Sequence, residues 1–188
     1  MDVKIIRSNR KTIGIQINSD LSVVVRAPKR VSKREIERVL KEKEAWIIKS
    51  IDKMQQRKAE LEANSEPPIA MDELKKLANH ALEYIPKRVK YFAPIVGVDY
   101  GRITIRNQKT RWGSCSGKGN LNFNCLLMLA PTEVIDYVVV HELCHRIEMN
   151  HSKAFWSEVE RVLPDYKSAK KWLKDNGEYI MQRIKKNY

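Results

Sequence analysis

The spacing of apolar positions changes along this chain, and each change marks an element. Val3 to Arg7, Thr12 to Ile17 and Leu21 to Arg26 are β-branched and partly alternating, the pattern of half-buried strands. Asn18-Ser19-Asp20 supplies tight-turn residues between the last two, so a β-hairpin is expected there. From Ser32 the period becomes helical. Ser32 followed by Glu35 makes a capping box, and Ile36, Val39, Leu40, Trp46, Ile47, Ile51 and Met54 share one face of a single long helix. The pattern fades at Gln55 to Lys58, and Asn64 to Pro68 reads as a linker. It divides the chain into an N-terminal region of strands plus long helix, 1–64, and a second domain, 65–188.

Beyond the linker, Asp72 is placed to cap a helix carrying Leu74, Leu77, Ala78, Ala81, Leu82 and Ile85. Pro86 should kink or interrupt it, and Pro94 should end the segment. Arg102 to Arg106 and Leu121 to Leu127 read as strands. The glycines and serines between them, in Gly113 to Gly119, suggest a bend or bulge, with a strand edge able to hold an extended peptide by main-chain hydrogen bonds. After Pro131, a helix starting near Thr132 carries Val134, Ile135, Tyr137, Val138, Val139, Val140, Leu143 and Ile147. It is apolar nearly all round and should be buried. Two further helices follow, about Ser152 to Leu163 and Lys167 to Asn176, with Asn150 suited to reversing the chain before them and Gly177 as a stop.

Composition adds limits. The chain has 188 residues, 31% charged and 43% hydrophobic, as a globular protein does. No run approaches the roughly 20 apolar residues of a membrane span, and the opening MDVKIIRSNRK lacks the apolar centre of a secretory signal. The expected compartment is the cytoplasm. Cys115, Cys125 and Cys144 are too few and too irregular for a disulfide framework. The net charge of +13 permits an acidic partner such as nucleic acid. The basic residues nevertheless alternate with glutamates in the helical segments, as solvated faces do.

The chemistry lies in His141-Glu142-Leu143-Cys144-His145, an H-E-x-x-H sequence. On a helix, positions four apart share a face, so two imidazoles can reach one zinc ion at about 2.0–2.1 Å. Glu142 projects about 100° round the helix, beside the metal, where a general base belongs. His151 follows His145 by six residues, the spacing of the extended motif H-E-x-x-H-x-x-G-x-x-H, with Glu148 in the glycine position. Glu158 and Glu160 are fallback ligands, and Cys115 would close a structural four-ligand site. Tyr137, Tyr166 and Arg111 are candidate oxyanion stabilisers. His80 reads as an ordinary histidine. Two function classes follow: a zinc peptidase acting on peptide or protein, and a basic, nucleic-acid-associated module with a structural zinc.

RWGSCS, LNFNCLLMLAP, VIDYVVVHELCH, NHSKAFW and Pro164-Asp165-Tyr166, in this order, resemble the YgjP-like metal-dependent hydrolases. That family belongs with the zincin metallopeptidases and is similar to SprT-like proteins. The resemblance is strong over about residues 101–176 and extends to the opening strands and Glu44-Ala45-Trp46-Ile47. It implies zinc held by His141, His145 and His151 with Glu142 catalytic, despite the missing glycine. It also implies an α+β, zincin-like fold, with the active-site helix beside a small antiparallel sheet. A peptidase recruited to DNA, as in SprT-like proteins, would reconcile motif and charge. The segment from about Lys58 to Ala93 departs from the family pattern, being shorter and helical here.

Overall fold

The computed structural model describes residues 3–63 and 66–185, and the chain forms two compact units, Met1–Asn64 and Ser65–Tyr188. The first unit holds strands β1 (Val3–Ser8), β2 (Gly14–Ile17) and β3 (Val23–Pro28) and helices α1 (Lys33–Glu42) and α2 (Glu44–Ala63). β2 and β3 form the expected antiparallel hairpin, but β1 lies on the other side of β3 and parallel to it. The turn is stabilised by Asp20 Oδ1, which accepts from the Ser22 amide and hydroxyl, and the left-handed residue is Leu21 (φ 68) rather than a turn former. Val25, Ala27 and Ile36 make this unit's buried cluster.

Ser32 caps α1 by accepting from the Glu35 amide at 3.1 Å. The single long helix expected from Ser32 onward is two helices, broken at Lys43 (φ −101, ψ 4). The apolar face does not stay in phase across the break: Ile36 and Ile47 are buried, while Trp46 is 51% exposed.

In the second unit, α3 (Met71–Val96) runs unbroken through both Pro86 and Pro94. The ring of each proline fits helical φ and forfeits one hydrogen bond. The carbonyls left over belong to Leu82 and Lys90, both on the exposed side, where water can bind them. On the other side Ala81, Ile85, Val89, Phe92, Ala93 and Val96 enter the core, and their burial outweighs the lost bonds. Ala70, without a side-chain cap, occupies the N-cap, and Asp72 lies inside the first turn. Gly97 (φ 85) closes the helix by donating to Ala93 O.

β4 (Ile103–Arg106), β5 (Gly113–Cys115) and β6 (Leu121–Asn124) form the second sheet in the order β4-β6-β5. β5 is antiparallel to β6, but β4 is parallel, so the sheet is mixed rather than wholly antiparallel. β6 ends in a 3₁₀ turn, Cys125–Leu129, where a longer strand was expected. Asn124 causes this: its side chain accepts from the Leu126 amide and redirects the backbone.

α4 (Thr132–Cys144) is buried nearly all round, at Val134, Ile135, Val138, Val139, Val140 and Leu143 among others. It packs on α3, where Arg88 donates twice to Asp136, at 2.6 and 2.7 Å. Ile147, past the helix end, is exposed. α5 (Lys153–Val162) is capped by Ser152, which accepts from Phe155 N. α6 (Tyr166–Lys185) passes straight through Gly177. That glycine is no stop. A Cβ there would lie 3.1 Å from the Trp112 indole nitrogen, so it permits close packing on the loop before β5.

Candidate metal centre

Three of the chain's four histidines converge. His141, in the last turn of α4, His145 at its C-cap and His151 in the following loop offer ligand nitrogens that all lie within 4.8 Å of one another. The Nε2 atoms of His141 and His151 are 3.0 Å apart. His145 faces the Glu148 carbonyl through Nδ1 at 3.0 Å, the backbone partner that fixes a ligand's tautomer and leaves Nε2 for a metal. His141 Nδ1 is buried with no hydrogen-bond partner.

The chain returns His151 without glycine. After α4 the amides of Ile147 and Glu148 both donate to Cys144 O, and Ser152 N donates to Asn150 O. Asn150 is not left-handed: among the described residues only Leu21 and two glycines have positive φ. Successive tight turns do the work expected of Asn150.

Electrostatics suit a cation. Burial, then the neighbouring His145, His151 and Lys170, push His141 down to about 3, and burial lowers His145 as well. Both imidazoles are therefore neutral, the state in which histidine binds metal. Burial pushes Glu142 up to about 8, partly offset by Arg111. Its carboxylate has no hydrogen bond from the described residues, and a neighbouring divalent charge would favour its ionised form. Donor type, neutrality and convergence all fit a divalent metal of the zinc class.

Glu142 is 5% exposed and lies against β5. A Cβ on Gly113 would stand 2.7 Å from Glu142 Oε1 and 2.8 Å from Cγ, so only glycine lets the strand approach this carboxylate. The loop before β5 is held by fully buried Asn124, whose Nδ2 donates to Gln108 O at 2.8 Å and Arg111 O at 2.9 Å. Arg146 donates to Asp99 and packs against Gly119, where a Cβ would stand 2.9 Å from the guanidinium carbon.

The other candidates separate cleanly. Glu158 pairs with Arg161 and Glu160 with Lys167. Cys115, half-buried on β5, lies outside the convergent group, and Cys125 and Cys144 are buried and free. His80 is on the surface of α3 against Tyr84. Tyr137 and Tyr166 are buried and stacked on each other, and burial pushes Tyr137 up to about 12. Arg111 is exposed, on the Glu142 side. Gly113 and Asn124 went unrecognised in the sequence as parts of the site, because a glycine near a strand and an asparagine in one carry no signal of what will face them.

A family model described as YgjP-like, metallopeptidase domain, matches residues 11–73 and 61–176. Among solved structures, the metallopeptidase zymogen abylysin of Pyrococcus abyssi is 24% identical, with a TM-score of 0.44 over 48% of this chain and 93% of its own. The metallopeptidase zymogen jannalysin of Methanocaldococcus jannaschii is 20% identical, with a TM-score of 0.44 over 49% of this chain and 95% of its own. No curated protein matches.

Proposed function

This chain belongs to the YgjP-like metallopeptidase family, and from that premise we propose that it is a zinc peptidase whose ion is held by His141, His145 and His151 and whose general base is Glu142. The observation that carries this reading is the convergence of three imidazoles beside a buried carboxylate that accepts no hydrogen bond among the described residues. Three protein ligands are the number that leaves a catalytic zinc accessible. When bound, zinc supplies Lewis acidity that activates water near neutral pH and polarises a carbonyl.

Glu142 takes the proton of the attacking water and returns it to the leaving amine. Its burial limits competing solvent, and its seat under Gly113 places it beside the edge of β5. Among the described residues β5 pairs with β6 alone, so its other edge can receive an extended peptide as an added strand. Arg111, two residues before Gly113 and exposed on the Glu142 side, is the donor we assign to charge developing on the substrate oxygen, since Tyr137 and Tyr166 are buried. We assign this chemistry to the 65–188 unit.

The test is metal content by mass spectrometry on wild type and Glu142→Gln, with hydrolysis of a broad fluorogenic peptide library. About one zinc in each, with cleavage by wild type alone, is the expected result. A wild type that takes up no zinc, or a Glu142→Gln variant that cleaves normally, overturns the reading.

A further inference from the structure

His151 is the exposed member of the ligand group and sits on a loop. Metal-binding imidazoles are ordinarily oriented by a hydrogen bond at the second ring nitrogen. His145 has one, to Glu148 O. For His151 the only polar contact among the described residues is the one with His141. The glycine turn of the extended motif is also missing. Something else fixes the ring.

What touches it is aromatic. His151 stacks on Trp156 with centroids 5.8 Å apart and planes 29° from parallel, and meets Phe155 edge-on at 4.8 Å. Phe155 is fully buried and anchors the first turn of α5. Trp156 is itself pinned: Tyr166 of α6 stacks on it at 5.4 Å and 15°, and the Lys170 ammonium lies 3.7 Å from its ring centre. Tyr166 in turn stacks on Tyr137 of α4, one helical turn before His141. Four nearly parallel rings, His151, Trp156, Tyr166 and Tyr137, thus run from the loop ligand back to the helix that carries the other two ligands.

We propose that Trp156 is the positioning residue for His151, its indole holding the imidazole toward His141 and His145 in place of a hydrogen bond and a glycine turn. The inference rests on the zinc-site reading above and goes beyond it in naming what makes the third ligand available. A flat aromatic face restricts rotation about the His151 side-chain torsions while leaving both ring nitrogens free. An aliphatic residue of similar bulk would fill the space without selecting a ring orientation.

The test is zinc affinity, measured by competition with a chromophoric chelator, on wild type, Trp156→Phe and Trp156→Leu, alongside thermal unfolding of the metal-stripped proteins. Trp156→Leu should weaken zinc binding about 10–100-fold, the usual effect of losing an orienting partner, and Trp156→Phe should restore most of it. A merely structural role would lower the unfolding temperature of the stripped Trp156→Leu protein and leave its zinc affinity unchanged, which overturns the proposal. So does a Trp156→Phe variant as weak as Trp156→Leu. Should Trp156→Leu fail to fold, nuclear Overhauser contacts between His151 and Trp156 ring protons in stripped wild type decide: present, they support the stack, and absent, they refute it. Wild type that binds no zinc defeats the zinc reading and this inference together. Wild type that binds zinc while Trp156→Leu binds it equally well defeats this inference alone.

Discussion

Gly113→Ala isolates the contact between the edge strand and the proposed base. The added methyl carbon would stand 2.7 Å from Glu142 Oε1, 2.8 Å from Cγ and 3.0 Å from Cδ. Ordinary carbon contacts begin near 3.4 Å, so the shortfall against Oε1 is 3.4 − 2.7, or 0.7 Å. β5 cannot back away freely, because Gly113 is in register with Phe123, which is fully buried. The carboxylate is the softer partner and moves. A displacement approaching 1 Å can cost on the order of 100-fold in rate, and overpacking of this kind destabilises by about 1–3 kcal/mol. We expect kcat on a fluorogenic peptide to fall about 10–100-fold, with zinc content unchanged because the three atoms nearest the new methyl all belong to Glu142 and none to a proposed ligand. Gly117→Ala, in the same hairpin and with nothing within 4 Å of its Cβ, is the matched control and should be silent. Full activity in Gly113→Ala would refute the reasoning. Loss of zinc together with activity would show that the clash is relieved through α4 instead.

Two further outcomes follow from buried groups. In protein stripped of metal by a chelator, the raised Glu142 (from 4.5 to about 8) keeps in the folded state a proton that the unfolded chain releases, so its contribution falls as pH rises through that window. The lowered His141 (from 6.5 to about 3) acts oppositely and loses its contribution as pH falls. The two slopes cancel between 4.5 and 6.5; from 6.5 to 8 Glu142 acts alone, and stability should drop about 1.4 kcal/mol per pH unit, ~2 kcal/mol in all. Urea unfolding of stripped Glu142→Gln should lack this alkaline limb, and a limb that persists would rule Glu142 out as its source. Asn124→Ala orphans the carbonyls of Gln108 and Arg111 and the Leu126 amide. It should destabilise by roughly 3 kcal/mol in urea unfolding and reduce peptide turnover; a loss under about 1 kcal/mol would mean that the loop is held by other contacts.

The sequence spoke most clearly where one element carries its own pattern. The apolar wheel of α4 and the H-E-x-x-H spacing placed His141 and His145 on a buried helix, and Ser32 and Ser152 marked helix starts by a local hydrogen bond. It was misleading where tertiary packing overrides a local rule. Pro86 and Pro94 look like helix breakers, yet α3 buries too much apolar surface to stop. Gly177 looks like a C-cap until Trp112 is found against it. The parallel placement of β1 and β4 is a pairing choice that strand periodicity does not encode. The partners of Gly113, Asn124 and Trp156 lie on elements distant in the chain, so only the folded structure joins them to the site.

The order of residues along the chain separates the proposed ligands from the helix that supports them. All three histidines and Glu142 precede Tyr166, Lys170 and Gly177, which belong to α6. A truncation ending near residue 160 would carry every proposed ligand, yet lack the ring that pins Trp156 and the glycine that seats Trp112. The centre therefore leans on a helix that supplies none of its proposed ligands, and the footing of both tryptophans is lost if α6 is lost.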